Sequence, residues 1–153
     1  MLRRANSLGL TAECPPQHPF NPLLALRACT AFADNGERLK LACALCDAAW
    51  RDGLDITLLD NVGTVITDCG LDADWALAMT QDKAVKQTLI NATKAAADSG
   101  IFGVPTFELD GQIFWGEDRV EGLIRCANGQ RIDEDKLAEV LARGAAVQRK
   151  KPS

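Results

Sequence analysis

Apolar positions recur at helical spacing along most of the chain and switch to a two-residue period in one place. Met1 to Ser7 reads as the end of a helix stopped by Gly9. Thr11 to Phe20 carries Pro15, Pro16 and Pro19 and reads as an extended loop. Asn21-Pro22 is a helix start, with Asn as cap and Pro at the first helical position. Leu23, Leu24, Leu26, Ala28 and Phe32 then form an apolar face to about Asp34, where Asn35-Gly36 ends the helix. A second helix is expected over roughly Arg38 to Trp50, with Leu39, Ala42, Cys43, Cys46 and Trp50 as its inner stripe. Asp55 or Thr57 caps a third, with Leu58, Val62 and Ile66 inward as far as Cys69-Gly70. Asp72 caps a short fourth carrying Trp75 and Leu77. A fifth runs from about Asp82 to Ser99, with Val85, Leu89 and Ala92 inward and Gly100 as its stop.

The period then changes. Thr106-Phe107-Glu108-Leu109 alternates, Asp110-Gly111 follows, and Gln112-Ile113-Phe114-Trp115 completes a β-hairpin, for which Asp-Gly between two such runs is a strong signal. Glu117 or Asp118 opens a helix through Val120, Leu123 and Ile124. A last helix starts near Asp133, holds Leu137, Val140 and Leu141, and leads into a charged tail. The order is therefore a helical block, one hairpin and further helices. A lone two-stranded hairpin is marginal in water, so this sheet is expected to be completed by something else.

With 153 residues, 47% of them apolar, the chain can bury a core and is read as one domain. Acidic residues outnumber basic ones, 21 to 17, and the basic clusters sit at the ends (Arg3-Arg4, Arg149-Lys150-Lys151), which argues against nucleic acid as a partner. No apolar run approaches a membrane span, and no apolar stretch follows the basic N-terminal residues as in a signal peptide. The chain is read as cytoplasmic. Six scattered cysteines do not form a disulfide framework of the small secreted kind.

Two segments carry candidate chemistry. In Gly100-Ile101-Phe102-Gly103-Val104-Pro105-Thr106-Phe107, Val104-Pro105 lies between a helix stop and a strand start, where Pro gives up an N–H that the ladder does not need. An X-Pro bond in such a connection can be cis. The Val104 backbone can then turn outward and pair with an extended, peptide-like ligand. In Trp115-Gly116-Glu117-Asp118-Arg119, Gly116 permits an unusual dihedral or a close approach. The N–H groups at the helix start can hold a carboxylate, and Asp118 an ammonium group. On its own, this second segment is a weak signal, and a helix cap with a solvated ion pair is the better reading of it.

These motifs in this order resemble the C-terminal signature of the 2-hydroxychromene-2-carboxylate isomerase family and its kappa-class glutathione transferase relatives. His18-Pro19-Phe20-Asn21-Pro22 to Arg27 resembles the family's helix start, and the run from Gln81-Asp82 to Phe102 is also similar. The similarity covers roughly Leu2 to Ile124. It implies an α/β fold of thioredoxin type, DsbA-like and mostly helical, with one β-hairpin. Residues of about 1–99 would be an all-helical insertion, about 100–128 the hairpin and helix of the thioredoxin part, and about 129–153 a C-terminal helix and tail. The resemblance further implies glutathione as cofactor. Val104, before a cis-Pro105, would pair with its cysteinyl backbone; Trp115, Gly116, Glu117 and Asp118 would line its γ-glutamyl end. Asn21 would face a pocket for a small aromatic carboxylate, isomerised in aromatic-compound catabolism. In the family a strand–helix–strand unit precedes the region matched here and carries a serine that activates the glutathione thiol. No serine of this chain maps to it, and the chain is expected to be N-terminally incomplete. The family habit and a bare sheet edge point to a homodimer.

Other readings stay open. Cys43-Ala44-Leu45-Cys46 would suit a DsbA-type thiol–disulfide oxidoreductase, but redox pairs work at a helix N-terminus, whereas this one falls in mid-helix and reads as core. A kappa-class transferase, or a non-catalytic remnant that binds glutathione or a partner chain, are the remaining alternatives. No metal site is expected: His18 is the single histidine and sits in the Pro-rich loop. Trp50 and Trp75 are expected to anchor the helical block.

Overall fold

The structure, a computed structural model, describes residues 2–130 and 133–143. The chain divides into two compact units, Met1–Asp98 and Ser99–Ser153.

The first unit is helical: α1 (Leu2–Ser7), α2 (Leu23–Ala31), α3 (Asn35–Trp50), α4 (Leu59–Asp68), α5 (Ala73–Met79) and α6 (Lys83–Asp98). Short acidic side chains start several of them by accepting orphan backbone N–H groups. Asp34 Oδ1 accepts from Glu37 N at 2.9 Å, Asp72 from Trp75 N at 2.9 Å and Asp82 from Val85 N at 3.1 Å. α2 lies at the centre, against α3, α5 and α6, and buries Ala25 and Ala28, whose small side chains let its neighbours approach closely. Leu41, Val62 and Ile66 are fully buried around it. Each contributes about 1.5–3 kcal/mol by leaving water.

Several expected details differ. α2 ends at Ala31, where Phe32 turns extended, and Asn35-Gly36 begins α3 instead of ending α2. The Asp34 cap recruits both residues into the first turn. The buried face of α3 is Leu41, Leu45, Ala48 and Ala49, a spacing of four, three and one. Leu39 is 65% exposed, and Cys43 and Cys46 are exposed too, so the expected stripe was out of phase. Apolar Leu, Ala and Cys occupy both faces of this helix. Tertiary contacts choose between them, among them Lys40 Nζ donating to the carbonyl of Cys69 at the end of α4. Leu58 is exposed ahead of α4. On α6, Val85 is buried, Leu89 half-buried and Ala92 exposed. Trp50 packs on the core, whereas Trp75 is partly exposed, edge-on to Phe32 with centroids 5.2 Å apart.

The second unit holds β1 (Thr106–Leu109), β2 (Gln112–Trp115), a 3-10 turn (Glu117–Arg119), α7 (Val120–Ala127) and α8 (Glu134–Ala142). Asp110 and Gly111 both have positive φ, 50° and 78°, the primed turn that matches strand twist. The antiparallel register pairs Thr106 with Trp115 and Phe107 with Phe114. Phe107, Leu109, Gln112 and Phe114 therefore share one face, and Thr106, Glu108, Ile113 and Trp115 the other. α7 lies against the first face: Gly122 faces the Phe114 ring, and Cys126 Sγ is 3.8 Å from Gln112 Oε1. Asp133 caps α8 as expected, accepting from Lys136 N at 3.0 Å. The side chain of Leu141 and the basic tail lie outside the described residues. Among the described residues no helix is long and apolar enough to cross a membrane.

Candidate functional site

The entry and exit of the hairpin are tied together. Beyond the Thr106–Trp115 pair, Gly116 N donates to the Pro105 carbonyl at 2.9 Å, which extends the ladder by one rung. Thr106 Oγ1 donates back to the Gly103 carbonyl at 2.5 Å. Between these two bonds stands Val104, 89% exposed, followed by a cis peptide bond to Pro105. His18-Pro19 is also cis, a feature the sequence pattern did not single out. Val104 therefore stands open to solvent directly before the strand start.

Trp115 lies over this entry. A Cβ built on Gly103 would meet Trp115 Nε1 at 2.6 Å, so the indole rests where any larger residue would stand. Phe102 leans on the same indole, with ring centroids 4.8 Å apart at 56°. The sequence motif does not single out Phe102, whose one mark there is an aromatic next to a glycine.

Gly116 has φ 103° and ψ 156°, a region open essentially to glycine. A Cβ there would also stand 2.6 Å from Asp118 Oδ1, so the carboxylate of Asp118 folds back over the Gly116 backbone. Its other oxygen lies 3.6 Å from Arg119 Nε, and both side chains are largely exposed. Such a pair contributes little stability and leaves the carboxylate open to a competing cation. Glu117 is exposed in the 3-10 turn beside it. Val104, Pro105, Trp115, Gly116, Glu117 and Asp118 thus gather at one end of the hairpin, as an exposed bend, an indole and an acidic turn.

Asn21 belongs to the first unit. Its Oδ1 accepts from Leu23 N at 3.0 Å, the bond expected of a cap at Asn21 with Pro22 at the first position, although α2 itself is bounded one residue later, at Leu23. It lines a cleft of about 290 Å³ with Leu24, Arg27, Thr57, Thr80 and Gln81. In the second unit a larger cleft, about 550 Å³, lies along β2 and α7, with Arg119, Arg125, Cys126 and Gln130 in its wall. Apart from Arg119, the pattern of the sequence marked none of these.

The cysteines are not arranged for redox work. Cys43 and Cys46 sit in the middle of α3, away from its N-terminus. What burial Cys46 has raises its thiol pKa, and Cys43 and Asp47 raise it further. Burial pushes Cys29 up to about 11, with Cys46 adding to the effect. An activated thiol needs the opposite shift. Among the described residues, no three His, Cys, Asp or Glu side chains are placed to hold a metal ion.

A proline-entered hairpin with a helix on one face, joined to a helical block, describes a thioredoxin fold with a helical insertion. The family model for the DSBA-like thioredoxin domain matches residues 1–125, and the chain belongs to that family. The solved structure of 2-hydroxychromene-2-carboxylate isomerase, in selenomethionine form, superposes with a TM-score of 0.76 at 20% identity, over 89% of this chain and 66% of that one. At that identity the likeness speaks for the fold, and it bears out the mostly helical α/β reading. The 2-hydroxychromene-2-carboxylate isomerase of Sphingobium xenophagum is 34% identical over 74 residues, 48% of this chain and 38% of that protein. The family resemblance drawn from the motifs is therefore borne out, with a chain that spans about two thirds of the solved relative and a match that spans less than half of the curated one.

Proposed function

We propose that this chain serves a glutathione-dependent isomerase of the 2-hydroxychromene-2-carboxylate isomerase type, acting on a small aromatic carboxylate in the cytoplasm. The observation that carries the reading is the hairpin end, where the exposed Val104, joined by a cis bond to Pro105, stands at the same end as Gly116 and the folded-back Asp118. The residues fit glutathione. Its cysteinyl amide has the length and polarity of one strand residue and would pair with Val104. Its γ-glutamyl end carries an ammonium and a carboxylate. Asp118 suits the first; the backbone at the start of the 3-10 turn, past the Gly116 N–H that the Pro105 carbonyl holds, suits the second. Trp115 and Phe102 would exclude water from the thiol side. When bound, glutathione supplies a thiol that adds to and leaves a conjugated carbon, which frees rotation about a former double bond. Six free cysteines are in keeping with a reducing compartment.

Calorimetry with glutathione on the whole chain tests this, alongside an Asp118→Ala variant and the dipeptide Cys-Gly, which lacks the γ-glutamyl group. The expected result is glutathione binding weakened about tenfold by Asp118→Ala, with Cys-Gly weaker and indifferent to the substitution. Turnover is followed separately, by the change in ultraviolet absorbance of a 2-hydroxychromene carboxylate. No glutathione binding by a folded chain would overturn the proposal; binding without turnover would leave the chain a glutathione-binding module.

A further inference from the structure

The first unit contains a groove that the glutathione reading does not use. It runs between α2 and α6 with a volume of about 500 Å³. Its floor is aliphatic: Leu23, Leu26, Leu89 and Ile90, of which Leu23 is 40%, Leu26 44% and Ile90 58% exposed. Its charged lining is of one sign, Arg27, Lys86 and Lys94, with no aspartate or glutamate. Two of these cations are accounted for. Lys86 Nζ donates to Gln81 Oε1 at 3.1 Å, and Lys94 pairs with Asp98 at 2.8 Å. Arg27 is different: half-buried in the middle of α2, it has no carboxylate partner among the described residues. A guanidinium with no carboxylate partner among the described residues can take an anion, and its planar fork suits a carboxylate.

α6 lays an amphipathic stripe along the groove for the twelve residues from Lys86 to Ala97, a length of about 16 Å at helical rise. A long apolar floor, basic at the Arg27 and Lys86 end, matches a straight aliphatic chain with one acidic head. It does not match a second copy of the same face, which would set cations against cations.

We propose that this groove binds a medium-chain aliphatic carboxylate, with the head at Arg27 and Lys86 and the chain along Leu26, Leu89 and Ile90 toward Ala97. The site lies wholly within the first unit, and the inference does not depend on the second unit binding glutathione.

The test uses the full chain without glutathione, so that failure here and failure of the glutathione site are read separately. Octanoate, decanoate and decanol are titrated by calorimetry, and amide shifts of isotope-labelled chain locate the contact. Decanoate is expected to bind more tightly than octanoate, by up to about fourfold per added methylene, with shifts at Leu26, Leu89 and Ile90. Arg27→Gln should weaken decanoate about tenfold and leave decanol unchanged; Ile90→Asp should abolish both. Both positions are at least partly solvent-exposed, and a helical circular dichroism spectrum checks that the variants fold. No decanoate binding by the folded chain, binding that ignores Arg27→Gln, or shifts confined to another face would each overturn the proposal. So would a dimer, seen by sedimentation, that Ile90→Asp dissociates, because the groove would then belong to a second copy.

Discussion

Gly116 is the position where a single methyl group would test the site. In Gly116→Ala the added Cβ meets two separate obstacles. The first is the backbone: at φ 103° and ψ 156° an alanine is held in a region that costs on the order of 1–3 kcal/mol for any residue but glycine. The second is Asp118 Oδ1, 2.6 Å from the new carbon, well inside contact distance. That carboxylate ends an exposed side chain with room to swing away, so this obstacle is the smaller and falls mainly on ligand binding. The two separate in a cycle of Gly116→Ala, Asp118→Ala and the double variant. Hydrogen exchange of the Gly116 amide, which donates to the Pro105 carbonyl, reads the local cost. Gly116→Ala should speed this exchange by a factor of roughly 10 to 100, the equivalent of about 1.4–3 kcal/mol, and the double variant should recover only a small part of it. Glutathione binding should fall in all three. If Gly116→Ala exchanges like the parent chain, the backbone is not held as described and the cradle reasoning fails. If the double variant recovers the full loss, the cost lay in the carboxylate contact and the dihedral argument is wrong.

Other predictions test the packing and the thiols. Leu41→Ala should cost about 2–5 kcal/mol in thermal or denaturant unfolding, while Leu39→Ala, two residues away but exposed, should stay within about 0.5 kcal/mol, and equal losses would refute the phase assigned to α3. Asp34→Ala removes the cap of α3 and should cost about 1 kcal/mol by the same measurement, a loss absent if the cap carries no weight. The Cys29 thiol titrates near 11 when folded against 9.0 when free. Between those values the unfolded chain holds fewer protons, so stability should fall as pH rises from about 9 to 11. A Cys29→Ala variant should flatten that fall, and an unchanged profile would count against the assignment. With the Cys46 pKa raised rather than lowered, Cys43→Ser/Cys46→Ser should leave glutathione binding unchanged, and the parent chain should not reduce insulin disulfides.

Much of the hairpin end could be read from the residues alone, because its geometry depends on backbone chemistry that few residue types supply. Asp110-Gly111 takes positive φ at both positions, Gly116 occupies a region closed to other residues, and Pro105 stands where the ladder asks for no donor. Local rules decide such positions, and local rules are what a single sequence displays. The acidic caps at Asp34, Asp72, Asp82 and Asp133 bind their own next turn, and three of these four helix starts were placed within a residue or so. The exception came from a conflict: Asn35-Gly36 has the composition of a stop, but Asp34 immediately before it is the stronger signal.

Helix phase is harder to read for a physical reason. On α3, Leu39 and Leu41 have the same hydrophobicity and lie on opposite sides of the helix, and the alanines and cysteines between them are small enough for either face. The choice is made by which side meets α2 and α4, which the local sequence does not contain. The same reasoning separates the two candidate sites. The hairpin end rests on dihedrals and could be located from Gly, Pro and Asp. The α2–α6 groove rests on where two helices run side by side and on a guanidinium with no carboxylate partner among the described residues, so it emerges only once both helices are in place. Arg27 shows the difference: in sequence it is one more basic residue on a helix, and in the fold it is a half-buried residue on the wall of two clefts.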